Sequence, residues 1–133
     1  MILVVCIDDR GGMLFNRRRQ SRDRLLRLDL LREAGGRAVW MNGYSAKQFS
    51  EMAENIRVAE DFYLQAGEGE FCFFEDVDPV PWLKKAEKVL LYHWNRHYPA
   101  DRYFPQPLVG WSAVRTEDFM GASHECITKE MLV

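Results

Sequence analysis

The sequence lacks any apolar run near the roughly 20 residues that a membrane-spanning helix needs. Its first apolar stretch ends at Ile7 and is followed at once by Asp8, Asp9 and Arg10. A secretory signal would carry a basic segment before its apolar part and a small-residue cleavage site after it. Neither is found here, so we expect no membrane segment and a cytoplasmic location.

Cysteine is scarce, and Cys6, Cys72 and Cys126 stand singly within apolar segments. An odd number of cysteines without a CxxC pair argues against a disulfide framework and against a structural zinc site. His93 and His97 straddle a strand and a loop, so we expect no bound metal. Because free cysteine is among the most buried residue types, we predict that all three thiols are reduced and buried.

A strong excess of one charge is also absent, because 18 Lys and Arg residues stand against 20 Asp and Glu residues. This balance excludes a uniformly basic surface for nucleic acid. The charges are nevertheless unevenly distributed. Residues 1–37 carry nine basic and five acidic side chains, a net +4, whereas residues 38–133 carry nine and fifteen, a net −6. A local anion site near the N-terminus is therefore expected.

The composition is typical of a folded domain. Hydrophobic residues make up 47% of the chain and aromatic residues 13%, which suffices for a packed interior. A length of 133 residues supports one hydrophobic core. We therefore predict a single domain over residues 1–133.

The predicted elements alternate between strands and helices. Residues 2–7 form a continuous β-favouring run, typical of a strand buried on both faces of a parallel sheet. Ser21 is the predicted N-cap of an amphipathic helix over residues 22–34. The remaining predicted elements are, in order, a strand over 38–41, a helix from Ser45 to Ala53, strands over 56–59 and 71–75, a helix over 82–87, and strands over 88–94, 109–116 and 125–132. We predict an α/β fold with a mostly parallel sheet, helices on both faces and a C-terminal antiparallel hairpin.

The densest polar cluster follows the first predicted strand and reaches the first predicted helix. Ligands of open α/β sheets bind beyond the carboxyl ends of the strands. Arginine binds carboxylate or phosphate through two hydrogen bonds, and a helix N-terminus favours an anion. The candidate substrate-binding residues in this cluster are Asp9, Arg10, Asn16, Arg18, Arg19 and Arg22. A solvated basic loop before an ordinary helix is the alternative.

Two further candidates lie in the second half of the chain. Arg96 follows the predicted strand over 88–94 and is a candidate second contact for an anion. His124 lies beside Glu125 on a predicted loop and is a candidate general base. An exposed turn residue is the alternative interpretation of His124, since neighbouring residues of a strand point to opposite faces.

Three segments carry the motifs of a known family. Residues 83–94 and 100–105, LKKAEKVLLYHW and ADRYFP, are similar to a helix and strand followed by G-D-x-x-F-P. Residues 39–45, VWMNGYS, are similar to a strand and turn with the motif M-G-R-x-T. In this order the segments resemble dihydrofolate reductase. The resemblance implies that family's fold, a pterin or nucleotide ligand, and reductase chemistry with NADPH.

The resemblance also implies a role for Asp23, which stands roughly where the family keeps its one active-site carboxylate. Burial would raise the pKa of this carboxyl group and allow it to protonate or hydrogen-bond a heterocycle. An aspartate in the first turn of a helix also complements the helix dipole without any catalytic role. Both interpretations of Asp23 stay open at this point.

The cofactor half of the sequence departs from the family. Where the family has a glycine pair that cradles the cofactor pyrophosphate, this chain has Glu75 and Asp76 after Phe74. Two carboxylates there would repel a phosphate and block a close approach of the backbone. The cofactor is therefore unknown, with NADPH implied by the resemblance and opposed by these residues.

The sequence leaves several functions open. The first is a dihydrofolate reductase-like protein that binds an anionic heterocycle, a pterin or a nucleotide, and is either a reductase with a degenerate NADPH site or a pseudo-enzyme. The alternative is a phosphate-directed nuclease or RNA-binding protein that uses the loop over residues 17–22 together with Arg96 and His124. A non-catalytic domain that forms a homodimer through its aromatic residues is the third.

Overall fold

The computed structural model describes residues 1–50 and 53–133. In chain order its strands are β1 (Ile2–Ile7), β2 (Gly12–Phe15), β3 (Arg18–Arg19), β4 (Val39–Met41), β5 (Ile56–Val58), β6 (Phe71–Phe73), β7 (Lys88–His93), β8 (Arg102–Tyr103), β9 (Ala113–Phe119) and β10 (Ile127–Leu132). Its helices are α1 (Arg24–Ala34), α2 (Gly43–Ala46), α3 (Phe62–Gln65) and a 3-10 helix over Val80–Lys85.

The main sheet has seven strands in the order β5-β4-β6-β1-β7-β10-β9. The five strands from β5 to β7 pair in parallel. Strand β10 pairs antiparallel with both β7 and β9. The predicted mostly parallel sheet with an antiparallel C-terminal hairpin is therefore confirmed.

Helices cover both faces of this sheet, as predicted. Along β1, Ile2 and Val4 face the side on which Leu30 of α1 packs. Leu3 and Val5 alternate to the opposite side, where α3 and the 3-10 helix lie. Each fully buried aliphatic side chain of this kind stabilises the fold by about 1.5–3 kcal/mol. Burial on both faces explains why β1 is a continuous apolar run.

Helix α1 begins two residues later than predicted because Asp23, and not Ser21, is its N-cap. The Asp23 carboxylate accepts hydrogen bonds from the backbone N–H groups of Leu25 at 2.9 Å and Leu26 at 3.2 Å. These are two of the amides that a helix N-terminus leaves without an intrahelical partner. Gly35, in the left-handed conformation at φ 56°, ends the helix as predicted.

A small second sheet was not predicted, and it occupies the stretch taken for a loop. Its three strands lie in the order β3-β2-β8. Asn16 and Arg17 form the turn between β2 and β3 with φ values of 52° and 63°. A Cβ atom on Gly12 would lie 2.6 Å from the Ala100 side chain, so only glycine fits where this hairpin meets the 98–107 segment.

The shorter helices differ from the prediction in their bounds. Helix α2 begins earlier because Asn42, and not Ser45, is its N-cap, with the Asn42 side chain accepting from the Ser45 N–H at 3.0 Å. The predicted helix extended to Ala53, and residues 51–52 of it lie outside the described residues. The helix predicted over 82–87 is the 3-10 helix, and α3 was missed.

The cysteines differ in burial, so the prediction that all three are buried is wrong. Cys72 is buried in β6, Cys6 is half-buried, and Cys126 is exposed in the loop before β10. Burial raises the pKa of Cys72 to about 12, and burial together with the nearby Glu75 raises the pKa of Cys6. Neither thiol is therefore a ready nucleophile at neutral pH.

In the part of the chain that the structure describes, no helix is both long enough and apolar enough to cross a bilayer.

Candidate functional site

Polar residues follow the central parallel strands at their carboxyl ends, which meet at one edge of the sheet. Asp8 follows β1, Asn42 follows β4, and Arg96 lies shortly after β7. Glu75 lies two residues beyond β6. The β2–β3 hairpin and the loop that carries His124 also lie at this edge, in contact with Asp8 and Arg96 respectively.

The centre of the candidate site is a buried pair formed by Asp23 and His124. The His124 Nδ1 atom lies 2.9 Å from the Asp23 Oδ2 atom. The exposed fractions of the two side chains are 2% for His124 and 0% for Asp23. Besides its two bonds to α1, the carboxylate accepts from the backbone N–H groups of Ala122 and Ser123, both at 2.9 Å. A ligand therefore has no access to the Asp23 carboxylate.

The electrostatics of Asp23 run opposite to the expectation from the sequence. Burial raises the pKa of Asp23, but the hydrogen bonds from Ala122, His124 and Ser123 outweigh burial and hold this pKa well below its ordinary value. Asp23 is therefore ionised and cannot protonate a heterocycle. Its predicted catalytic role as an acid in contact with the ligand is wrong.

The second nitrogen of His124 faces two hydroxyl groups. Its Nε2 atom lies 2.9 Å from the Tyr98 hydroxyl and 3.0 Å from the Ser21 hydroxyl. The imidazole stacks on the Trp94 ring with centroids 4.6 Å apart. Because the ionised Asp23 accepts the hydrogen on Nδ1, the neutral imidazole keeps a lone pair on Nε2. His124 is thus buried with both ring nitrogens in contact with polar groups, and it is not an exposed turn residue.

A cleft of about 340 Å³ lies beside this pair. Arg96 and His124 line it together with the segment from Met120 to Glu125. The Arg96 guanidinium donates to the Ser123 carbonyl oxygen at 3.1 Å, which holds the arginine against the cleft wall. The structure therefore brings together two of the predicted candidates, Arg96 and His124.

Arg19 does not face a ligand, although the sequence suggested that it would. Its Nε atom donates to both oxygens of the Glu75 carboxylate, at 3.2 and 3.1 Å. Its guanidinium lies over the Tyr44 ring, 4.2 Å from the centroid. Glu75 also accepts from Ser45 Oγ and Gln48 Nε2, each at 2.8 Å. The positive charge of Arg19 is therefore matched by a carboxylate of the protein itself.

The turn before α2 is likewise occupied by acidic side chains of the chain. The Asn42 side-chain amide donates to Asp76 at 2.9 Å, and the Gly43 N–H donates to Glu60 at 2.9 Å. Together with Glu75, these carboxylates surround the N-terminus of α2. Two of them are the residues that replace the family's glycine pair.

Asp8 anchors the hairpin over the strand ends. Its carboxylate accepts from the backbone N–H of Gly12 at 2.8 Å and from Gln20 Nε2 at 3.0 Å. Behind the hairpin lies a cavity of only about 10 Å³, whose lining includes Ser21, Gln20, Glu75 and Trp94. The hairpin therefore fills the end of the sheet and leaves room there for about one water molecule.

The remaining predicted contacts are spread over the surface. Asp9, Arg10, Arg18 and Arg22 are exposed. Asn16 is exposed at the hairpin turn, where its N–H donates to Asp101. Two of them reach the cleft residues through the backbone: the Asp9 N–H donates to the Arg96 carbonyl oxygen at 2.9 Å, and the Ser123 hydroxyl donates to the Arg22 carbonyl oxygen at 3.4 Å. Among the described residues, none of the five side chains hydrogen-bonds to Arg96 or His124. No observation therefore favours the nuclease or RNA-binding alternative.

Sequence reasoning missed three parts of this site. Ser21 was assigned only to a helix cap, whereas Tyr98 and Trp94 were not assigned to the site at all. Tyr98 lies 26 residues from His124 along the chain, and Ser21 lies 103 residues from it. No local spacing connects such residues, so only the fold reveals the cluster.

A second buried polar cluster lies where α1 packs on β7 and β10. The Lys129 ammonium donates to both Asp29 oxygens, at 2.9 and 3.0 Å, and to Glu33 at 2.7 Å. The Tyr92 hydroxyl donates to Asp29 at 2.6 Å. Every group of this cluster has a partner inside the protein, so it ties α1 to the sheet.

Within residues 1–50 and 53–133, no group of three or more His, Cys, Asp or Glu side chains could hold a metal ion. His93, one of the two histidines near β7, pairs with Glu130 of β10.

No protein-family model matches the sequence, and no curated protein matches it either. Among solved structures, the chain is similar to dihydrofolate reductase from Enterococcus faecalis in complex with NADP(H) and RAB-propyl. The TM-score is 0.64 at 10% sequence identity, and the likeness covers 98% of this chain and 94% of that chain. Likeness at this identity establishes the fold alone. The chain therefore has a dihydrofolate reductase-like fold.

Proposed function

We propose that the protein binds a small anionic heterocyclic molecule, of the pterin or nucleotide class, in the cleft beside His124. The observation that carries this proposal is that Arg96 and His124 line one cleft of about 340 Å³ at the carboxyl edge of the sheet. This volume lies within the roughly 300–1,000 Å³ that is usual for small-molecule sites.

The walls of the cleft suit a flat ring that carries a negative group. The Arg96 guanidinium binds carboxylate or phosphate oxygens through paired hydrogen bonds and also stacks on planar rings. Met120 is 74% exposed and offers a polarisable apolar contact. Arg96 would thus hold the charged group, while Met120 covers the ring.

The residues after β6 do not fit a dinucleotide cofactor. Glu75 and Asp76 follow this strand, and their carboxylates already hold Arg19, Ser45 and Asn42. A pyrophosphate at this place would meet two negative charges, where phosphate sites present backbone N–H groups and positive charge. We therefore derive no hydride transfer for this chain, and the proposed function is ligand binding without NADPH.

The first prediction concerns NADPH itself. We expect that saturating NADPH leaves the melting temperature of the protein unchanged, because Glu75 and Asp76 repel its phosphates. Differential scanning fluorimetry over a range of NADPH concentrations measures this. A ligand at 100 times its Kd would stabilise the protein by about 2.7 kcal/mol. A saturable rise in the melting temperature that corresponds to a stabilisation of this size would contradict the inference that the residues after β6 do not fit NADPH.

The second prediction concerns Arg96. Among pterins, folates and nucleotides, we expect at least one compound to raise the melting temperature. Arg96→Ala should weaken its binding about tenfold or more, since hydrogen bonds to charged groups contribute about 1.5–3 kcal/mol. Isothermal titration calorimetry with that compound measures the loss.

Arg57→Ala is the matched control for this experiment. Arg57 is an exposed arginine of β5, the edge strand four places from β7 in the main sheet, and its removal changes the net charge by the same amount. We expect the control to bind the compound as the wild type does. Equal losses in both variants, or no binder in the whole screen, would reject the proposed site.

A further inference from the structure

We propose that Ser21, His124 and Asp23 form a nucleophilic triad that cleaves small carboxylic esters. The Ser21 Oγ atom lies 3.0 Å from His124 Nε2, and His124 Nδ1 lies 2.9 Å from Asp23 Oδ2. A hydroxyl, a base and an orienting carboxylate in this sequence of contacts form the arrangement that activates a serine. The inference does not depend on the ligand proposed above.

The carboxylate fixes the imidazole in the form that a base requires. Asp23 is ionised, as shown above, and it accepts the hydrogen from Nδ1 of His124. The Nε2 lone pair therefore points to the Ser21 hydroxyl and can take its proton. Stacking on Trp94 prevents rotation of the ring, so the geometry is held before any substrate binds.

Tyr98 supplies a second hydroxyl at the same point. Its OH lies 2.9 Å from His124 Nε2 and 3.4 Å from Ser21 Oγ. One lone pair on Nε2 cannot hold both hydroxyl hydrogens equally, so the two hydroxyls compete for it. When the Ser21 proton moves to Nε2, the Tyr98 hydroxyl can donate a hydrogen bond to Ser21 Oγ. This bond would stabilise the negative charge that develops on Oγ.

Burial differs across the triad in the way that a reactive serine requires. Asp23 and His124 are buried, whereas Ser21 is half-buried. The base is therefore shielded from bulk solvent, while the hydroxyl lies nearer to the surface. A serine that served only as a buried structural bridge would gain nothing from this exposure.

A second observation points to a place for the water that the reaction consumes. The Oε1 atom of Gln20 is buried and accepts no hydrogen bond from the described residues. The Gln20 Nε2 atom donates to Asp8 at 3.0 Å and to the Pro99 carbonyl oxygen at 3.3 Å, and these two hydrogen bonds fix the orientation of the side-chain amide. Oε1 therefore stays an acceptor. Gln20 and Ser21 line the cavity of about 10 Å³, which has the size of one water.

The reaction balances with an ester and water alone. The Ser21 proton passes to Nε2 while Oγ bonds to the acyl carbon, and the leaving alkoxide takes that proton as its bond to carbon breaks. A water then gives a proton to Nε2 and attacks the acyl carbon. The Ser21 Oγ–carbon bond breaks, and Oγ recovers the proton from Nε2. The products are a carboxylic acid and an alcohol.

A fluorophosphonate probe tests the triad on the intact protein. We expect one adduct per chain on Ser21, in which an Oγ–phosphorus bond replaces the phosphorus–fluorine bond and fluoride leaves. Intact-mass spectrometry counts the adducts, and peptide sequencing locates them. His124→Gln should slow labelling about 100-fold or more, because general-base assistance is worth about 10²–10⁴-fold.

Two serine variants complete this test. Ser21→Ala should abolish labelling, whereas Ser112→Ala, which changes an exposed serine before β9, should label as the wild type does. Circular dichroism verifies that each variant is folded. Absence of an adduct on Ser21 of the folded wild type would overturn the triad, whether or not the variants fold. Equal labelling rates in wild type and a folded His124→Gln would overturn it as well.

Discussion

Asp23→Asn should lower the free energy of unfolding by about 3–5 kcal/mol, because it weakens several buried hydrogen bonds to a charged carboxylate, each of which contributes about 1.5–3 kcal/mol. The asparagine can still accept from α1 through one oxygen. Its NH₂ group, however, would face hydrogen-bond donors, the Ser123 N–H and His124 Nδ1–H among them. Urea denaturation followed by tryptophan fluorescence measures the change.

Asp78→Asn is a control for the loss of one carboxylate. Asp78 is exposed and accepts a single backbone hydrogen bond, from Val80 at 3.0 Å. Surface substitutions of this kind change stability by no more than about 0.5 kcal/mol. If Asp23→Asn were no more destabilising than Asp78→Asn, the hydrogen bonds around Asp23 would not stabilise the fold as described.

The effect of Asp23→Asn should also depend on pH. The folded-state pKa of Asp23 is lower than its unfolded-state value, so the ionised carboxylate stabilises the fold at neutral pH. This contribution is lost as the pH falls below the ordinary carboxyl pKa of about 4 towards the lowered one. The stability difference between wild type and variant should therefore narrow with acidification. A constant difference from pH 7 to pH 2 would contradict this.

Lys129→Met should also destabilise the protein by about 3–5 kcal/mol. Burial lowers the pKa of Lys129, but its hydrogen bonds to Glu33 and Asp29 outweigh burial and raise the pKa, so the ammonium stays charged. Methionine has a similar shape and leaves the buried Asp29 carboxylate without its cation, whereas Glu33 keeps its ion pair with Arg115. Urea denaturation is the appropriate measurement.

Two further variants show how much of the destabilisation by Lys129→Met comes from the lost positive charge. Lys88→Met removes an exposed lysine from β7 and should have an effect within about 0.5 kcal/mol. Adding Asp29→Asn to Lys129→Met removes the unpaired negative charge and should recover part of the loss. If the double variant were as unstable as the sum of the two single variants, the charges would not be coupled.

The central strands could be predicted from the sequence because burial on both faces makes them continuous apolar runs. This holds for β1 and β7, whose predicted bounds agree with the structure to within one residue. The small second sheet could not be predicted in the same way. Strand β3 consists of Arg18 and Arg19 alone. Its place depends on contacts with distant residues, such as the hydrogen bond from the Arg19 N–H to the Tyr44 hydroxyl.

The candidate site was predicted residue by residue but not as a constellation. The sequence indicated both Asp23 and His124, yet assigned neither to the other, because 101 positions separate them. Burial of Asp23 was only the condition for its role as an acid, and the structure shows the side chain buried. The direction of its pKa was wrong because the amides of Ala122 and Ser123 reach the carboxylate only in the folded chain.

The uneven charge distribution has a different meaning in the structure from the one that the sequence suggested. The positive first quarter of the chain predicted a site for a foreign anion. Arg19 instead meets Glu75, and the N-terminal amine meets Glu87 at 2.7 Å. In both pairs an early positive charge is matched by a later carboxylate. The order of charges along the sequence could not reveal that the anions paired with these positive groups are carboxylates of the same molecule.

The place of β10 between β7 and β9 determines when the protein can fold during its synthesis. The apolar strand β7 is made about 40 residues before β10, which covers its outer side. Until then β7 presents an unpaired edge, a hazard for aggregation. His124 of the candidate site also emerges only just ahead of β10. The nascent chain therefore acquires its last central pairing and the His124 part of its site together, only after β10 has been made.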